Sequence, residues 1–383
     1  MVTKKINIAK ASKLLIILLC LVSFTSCDIV SDLPQAEDVN IPVYKLSISN
    51  ESYGTFVTNE FSDLSVNGTL TYNSKKYNVS LEHHGFSSRG LFKKNYSLEF
   101  ESNDPILNRH KVILSAQATD KSMLRYFLAN QIFKEAGLKT PNILPIFFYI
   151  NDESQGLYYL MEQVNEEFFS KRNINIGELY KAVNGEAKFS FNDNKELRNG
   201  FEKKIPKDDN YYTLEKLVTI IDNEPDETFQ TKIETIFNVN AYLKYMAVSV
   251  MICNWDGIVH NFNLYRDNTT GIYEIVPWDL DATFYFEDNL TAFPGNSSLL
   301  TKLLKYDKYK TQYKNYLEDY LKGCFSQEFI NAQIEEMKNT IEDAYSEDKW
   351  LNASGYDLNM ESENIKSFVQ LRRLYIQDKL NSF

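Results

Sequence analysis

The sequence predicts an α+β protein, a sheet-rich first lobe followed by a helical second lobe. Three observations predict it. Short alternating apolar runs separated by turn residues dominate the chain up to about residue 165. Apolar residues at helical spacing dominate from about residue 212 to the end. The composition is globular throughout, 43% hydrophobic and 24% charged with only 14 Gly and 9 Pro in 383 residues, which excludes a disordered or collagen-like chain.

Residues 1–26 stand apart from that fold. Lys4, Lys5, Lys10 and Lys13 precede an apolar run from Leu14 to Val22, too short to span a bilayer and built like an export signal. Phe24-Thr25-Ser26-Cys27 follows and resembles a bacterial lipobox, with Phe24 where Leu is usual. Cleavage before Cys27 would leave an acylated anchor on residues 27–42, a polar tether, and place the protein in the cell envelope. The outer membrane or surface of a diderm bacterium is the expected location.

The first lobe spans 43–165. A strand begins at Val43. Gly68–Tyr72 and Lys76–Glu82 alternate around Asn73-Ser74-Lys75, a hairpin signal, and Asn95–Phe100 alternates again. Asp120 is placed to cap a helix carrying Met123, Leu124, Phe127, Leu128, Ile132 and Phe133, with Gly137 as its stop. Ile146–Ile150 and Leu157–Val164 are strands joined by Asn151–Gly156.

The second lobe spans 166–383. Arg172–Asn210 is polar and predicts a long insertion or active-site loop. Tyr212–Ile221, Asp226–Phe237 and Asn240–Met251 predict helices. A loop, a short hairpin (Phe262–Arg266 and Ile272–Pro277), another loop and four helical stretches complete it, the last from about Asn364 to Leu380.

Charge excludes some functions. The 41 Lys+Arg stand against 52 Asp+Glu, net −11; without residues 1–26 the balance is 37 against 52. Nucleic-acid binding wants a basic face instead, whereas an acidic chain suits a basic protein partner or a ligand held through metal. Four Cys and four His support neither a disulfide scaffold nor a zinc array.

The densest polar constellation is Asn254-Trp255-Asp256 through His260-Asn261-Phe262-Asn263, followed by Pro277-Trp278-Asp279-Leu280-Asp281. Phosphoryl transfer needs a carboxylate to orient the incoming hydroxyl, and an Asn and an Asp to hold Mg²⁺ on the phosphates. Helix, Asp-x4-Asn, hairpin and Asp supply those parts in that order. Asp279-x-Asp281 also suits a sugar-nucleotide metal motif, but that reading leaves Asp256 and Asn261 unused.

Residues 256–284 closely resemble the CotH kinase family of spore-coat and bacterial surface proteins, and Pro277-Trp278-Asp279-x-Asp281 is the most specific piece. His84-Gly85-Phe86-Ser87-Ser88-Arg89 with Lys93-Lys94-Asn95-Tyr96 resembles its Arg-Gly-Asn-Ser-Ser … Lys-Lys-Ser-Tyr segment. Asp120 to Arg125, Gly156 to Val164, and Leu179-Tyr180-Lys181 also match, so the resemblance runs from about Leu46 to Leu380. It implies a two-lobed atypical protein-kinase-like fold using ATP and Mg²⁺ to phosphorylate protein Ser or Thr hydroxyls.

Carried over, Asp256 orients the hydroxyl, and Asn261 and Asp279 hold Mg²⁺, with Asn263 the rival to Asn261 and Asp281 a second-metal or supporting ligand. Lys94, or else Lys93, contacts phosphates. Ser88 lies in a glycine-flanked turn suited to phosphate, Arg125 at a helix start suited to an anion, and Glu162 opens a hinge that reads adenine through backbone groups. His84 and Phe86 depart from the family's Arg and Asn, and neutral His lacks the Arg fork. The competing class is a catalytically inactive kinase-like binding lipoprotein, since ATP is made inside the cell and the anchor lies outside it.

Overall fold

A computed structural model describes residues 39–85, 87–191, 196–285 and 297–383. Lipidation at Cys27 and the export segment lie outside the described residues. Asn40–Phe383 pack as one unit.

The first lobe is a closed barrel. Its elements are β1 (Val43–Ser47), α1 (Asn50–Thr58), β2 (Ser65–Tyr72), β3 (Lys75–His83), β4 (Tyr96–Phe100), β5 (Lys111–Ser115), α2 (Arg125–Glu135), β6 (Ile143–Ile150) and β7 (Glu153–Glu162). The strand order is β1-β2-β3-β4-β5-β7-β6, and a parallel β1–β6 pairing, Val43 opposite Phe147, closes it. Alternation puts Tyr44, Leu46, Leu70, Leu81, Leu98, Leu114 and Phe148 inside. The expected β2–β3 hairpin forms with Tyr72 opposite Lys75. Asn73 and Ser74 take φ of 47° and 63°, the left-handed pair a two-residue turn requires.

The helix expected from Asp120 starts five residues later. Asp120 does not cap it in the simple way. Its carboxylate accepts from Ser122 N at 3.0 Å and Arg125 N at 2.9 Å, and Met123 sits at φ 56°. Asp120 therefore ties down the turn before α2, and Gly137 at φ 82° ends the helical segment as expected.

The second lobe begins with α3 (Glu166–Ser170). The region expected to be a long polar loop contains two strands, β8 (Ile176–Ala182) and β9 (Phe201–Ile205). Charged residues hid them. Glu178 and Lys203 are buried and satisfy each other across the strands at 3.3 Å, with Tyr273 Oη donating to Glu178 at 2.9 Å. Then follow α4 (Tyr212–Asn223), α5 (Asp226–Glu234), α6 (Val239–Met251), β10 (Phe262–Asp267) and β11 (Tyr273–Pro277). The chain ends with α7 (Ser298–Leu303), α8 (Asp307–Lys322), α9 (Gln327–Glu347), α10 (Lys349–Ala353) and α11 (Leu358–Asn381). The final helix starts several residues before the expected Asn364, capped by Asp357, whose side chain accepts from Met360 N at 2.8 Å.

The second sheet runs β11-β10-β8-β9, antiparallel throughout. Helix α6 lies at the centre, apolar on every side and buried at all but two positions. Among the described residues no helix is long and apolar enough to cross a membrane.

Candidate active site

The site grows from the end of α6. Cys253 turns the chain at φ 52°, and Asn254 N returns to Ser249 O at 2.8 Å. Asn254 is buried, and its Oδ1 accepts from Gly257 N at 3.3 Å while Tyr245 Oη donates to Gly257 O at 2.6 Å. These bonds fold Asp256–Ile258 into a 3-10 turn. Register does the rest. Phe262 pairs with Pro277, so Asp256–Asn261 and Trp278–Asp281 leave the same end of the hairpin. Residues distant in sequence therefore converge.

Asn261 Nδ2 donates to Asp256 Oδ2 at 2.6 Å, and His260 Nδ1 stands 3.6 Å from Asp256 Oδ1. Asn261 and Asp279 take φ of 50° and 55°, the left-handed region that Asn and Asp enter more readily than other non-glycine residues. Asp279 is exposed, and Asp281 and Asp256 stand near it. Desolvation first, then Asp281 and Asp256, push its carboxyl up to about 7, against the pull of Lys181 and His260. Asp281 accepts from Thr119 Oγ1 at 2.7 Å, fastening this loop to the β5–α2 connection, and burial raises its carboxyl despite that bond.

The residues fit a divalent cation. Among the described residues the Asp279 carboxylate has no hydrogen bond and no ion pair, while crowded by like charge. Asn261 gives its Nδ2 to Asp256, which leaves Oδ1 as an acceptor for metal. Among the described residues no three His, Cys, Asp or Glu side chains form a metal cluster of their own. An Asn, an Asp and phosphate oxygens suit magnesium, which keeps few protein ligands.

Beside this end of the hairpin runs a cleft of about 430 Å³. Ile113, Val164, Leu179 and Ile205 line its apolar part, with the chain at Gln163 and Asn165 along one edge. His84, Lys181, Asn263 and Trp278 line it too, as do Glu166, Lys204 and Lys207. His84 is held neutral: burial, then Lys181, Lys111 and Arg89, push it down to about 3. Its Nδ1 is 3.0 Å from Ser97 Oγ.

The structure brings Asp256, Asn261, Asp279 and Asp281 together, and corrects several other expectations. Lys93 is buried, donating to Asp348 Oδ2 at 2.7 Å and Leu157 O at 2.6 Å, with Tyr158 under its ammonium. It lines no part of the cleft. Lys94 pairs with Glu60 at 2.6 Å and donates to Arg89 O. Arg125 is buried between Asp120 at 2.8 Å and Glu361 at 3.3 Å, and stacks on Tyr285. Glu162 is buried, and burial's upward push is overcome by Arg172, the Asn142 amide and Arg109, so its carboxyl is lowered. Its amide donates to Asn142 O at 2.9 Å, and the backbone lining the cleft begins one residue later, at Gln163. Ser88 Oγ donates to His84 O at 3.2 Å, within a 3-10 turn that does not line the cleft.

Lys204, Lys207 and Glu166 were not singled out from sequence. They lie in polar stretches with no periodicity to mark them. Lys181 was legible only as the end of the Leu-Tyr-Lys match.

A cleft beside the hairpin that carries Asp-x4-Asn and a later Asp suits a kinase-like protein. The family model described as CotH kinase protein matches residues 81–376, and the chain belongs to that family. It is similar to the inner spore coat protein H of Bacillus subtilis (strain 168), 26% identical over 355 residues, covering 89% of this chain and 98% of that protein. An inner spore coat protein H-like protein of the same organism is 20% identical over 288 residues, 75% of this chain and 86% of the relative. Invasin CotH2 of Rhizopus delemar is 25% identical over 246 residues, 57% of this chain and 40% of the relative. Among solved structures, the Helicobacter pylori proinflammatory kinase CtkA aligns at 12% identity and TM-score 0.32, covering 75% of this chain and 94% of that one.

Proposed function

We propose that this chain is a Mg²⁺-dependent phosphotransferase of the cell envelope, moving the γ-phosphate of ATP to a Ser or Thr hydroxyl of a protein. The observation that carries the reading is the 2.6 Å bond from Asn261 to Asp256 at the same end of the hairpin as the Asp279 carboxylate, which has no partner among the described residues. Asp256 is oriented by Asn261 and keeps lone pairs for an incoming hydroxyl. The acceptor oxygen bonds to the γ-phosphorus, the bond to the β,γ-bridging oxygen breaks, and ADP leaves with that electron pair. Asp256 accepts the hydroxyl proton and passes it to solvent. The apolar walls Ile113, Leu179 and Ile205 suit a purine, and the free hinge backbone from Gln163 suits its edge. A divalent cation held by Asn261 and Asp279, with Asp281 beside them, supplies charge neutralisation on the phosphates when bound.

The acidic balance favours a basic acceptor protein, and the lipobox-like Ser26-Cys27 favours a lipid-anchored enzyme. Calorimetric titration with ATP and Mg²⁺, beside transfer of labelled phosphate to a Ser-rich basic acceptor, tests the reading. Mg²⁺-dependent binding with incorporation of label is the expected result. Failure of the wild-type chain to bind ATP overturns it in favour of an inactive surface-binding scaffold.

A further inference from the structure

We infer that Lys181, and neither Lys93 nor Lys94, is the lysine that holds the nucleotide phosphates; the assignment rests on the phosphotransferase reading above. Strand β8 lies between β9 and β10, and its register pairs Lys181 with Asn263, two residues beyond Asn261. Leu179 and Lys181 are two apart on one strand and so share a face. Leu179 lines the apolar part of the cleft, opposite Ile205 on β9. Lys181 lines the same cavity about 7 Å further along the strand, since each strand residue advances roughly 3.3 Å. That end also holds Trp278, the residue before Asp279, and Asn263. The cleft therefore runs from apolar residues to an ammonium at the end of the hairpin from which Asp279 leaves, the order in which a nucleotide presents base and phosphates.

Lys181 is also uncommitted. Among the described residues its side chain makes no hydrogen bond and no ion pair, while the neighbouring cations are taken. Lys93 is held by Asp348, Lys94 by Glu60, Arg125 by Asp120, Arg89 by Asp63 and Lys204 by Glu202. Lys207 is uncommitted too, but it is exposed and lies past Ile205, away from Asp279 along the strand pair. A polyphosphate stays negative even with one divalent cation bound, and would face Asp256, Asp279 and Asp281. An ammonium on the neighbouring strand offsets that repulsion and donates to phosphate oxygen.

The test measures affinity for Mg²⁺·ATP and for adenosine in the wild type, Lys181→Met, Lys181→Arg and Lys94→Met. Lys181→Met should weaken Mg²⁺·ATP roughly 10- to 100-fold, the loss of one hydrogen bond to a charged group, with adenosine unchanged. Lys181→Arg should keep part of the ATP affinity, and Lys94→Met should change neither ligand. Equal ATP affinity in Lys181→Met and wild type, or an equal loss for ATP and adenosine, overturns the assignment while leaving the phosphotransferase reading in place. A wild-type chain that binds neither ligand overturns both. Circular dichroism of each variant reports its folding, and the adenosine affinity reports an intact cleft.

Discussion

Lys93 and Asp348 lie 255 residues apart in sequence, yet their charged atoms meet at 2.7 Å in the interior, the lysine side chain 3% exposed and the aspartate 0%. The aspartate is a junction. Its Oδ2 also accepts from Leu157 N at 2.8 Å, and its Oδ1 from Trp350 N at 2.8 Å, so it caps α10 and grips β7 together. Gly156 makes room for it, since a Cβ there would stand 2.2 Å from the carboxylate. The barrel is thus bolted to the C-terminal helices through residues that do not line the cleft.

Lys93→Met should therefore act on stability and not on ligand binding. Removing one partner of a buried pair leaves an uncompensated charge and typically costs about 3–5 kcal/mol. Urea unfolding should show that loss, while folded protein keeps its ATP affinity. A variant that unfolds like wild type but no longer binds ATP would return Lys93 to the nucleotide site.

Asp256→Asn preserves shape and an acceptor oxygen for Asn261, and removes the proton acceptor. Transfer should fall by roughly 10²–10⁴-fold with ATP affinity nearly unchanged. If Asp256 merely shapes the turn, Asn serves as well and the rate stays put. Single-turnover transfer beside calorimetry separates the two outcomes.

Gly257→Ala probes how the loop is held. An added Cβ would stand 2.2 Å from Asn254 Nδ2 and 2.7 Å from Tyr245 Oη, both buried groups that shape the turn. Forced overpacking of this kind costs about 1–3 kcal/mol. Thermal denaturation should register it, and transfer should fall further than ATP binding, because the displacement falls on Asp256.

The Asp279 carboxyl, pushed up to about 7, would make the proposed metal binding pH-dependent. Protons compete with the cation below that value, so Mg²⁺-dependent ATP affinity should rise with pH through about 7 and level off above it. Stability runs the other way in the metal-free chain. Unfolded chain releases this proton near 3.8 while folded chain keeps it to about 7, so stability from this group is lost as pH rises across that window. Asp279→Asn should abolish the Mg²⁺ dependence and stabilise the metal-free protein more at pH 8 than at pH 4. The left-handed backbone, φ 55°, favours Asn at either pH, so only the difference between the two melts reports the charge. An identical gain at both pH values would show that the carboxyl is not raised.

The anchor is tested separately. Mass spectrometry of the envelope-extracted protein should find an acylated Cys27 at the mature N-terminus, and Cys27→Ala should release the protein from the membrane fraction. An unmodified N-terminus further along the chain would exclude the lipoprotein reading.

By itself the sequence determined what depends on near neighbours. The β2–β3 turn follows from Asn73-Ser74 between alternating runs, α6 from an unbroken apolar stretch, and the Asp256–Asn261 bond from a five-residue spacing between a helix and a hairpin. Asp279 was legible for the same reason, since the hairpin returns it to the place it left. The tertiary structure decided whatever depends on a partner far along the chain. Whether a Lys is buried is set by what meets it, and only the fold brings Asp348 to Lys93, Glu361 to Arg125, and Arg109 and Arg172 to Glu162. Strands β8 and β9 escaped notice because Glu178 and Lys203 break the apolar alternation, and their charges are compensated only once the fold brings Glu178 and Asp208 to Lys203. Lys181 carries no mark of its role beyond its residue type. It is the alignment of β8 beside β10 that sets its ammonium in the cleft, opposite Asn263 in register and without a partner among the described residues.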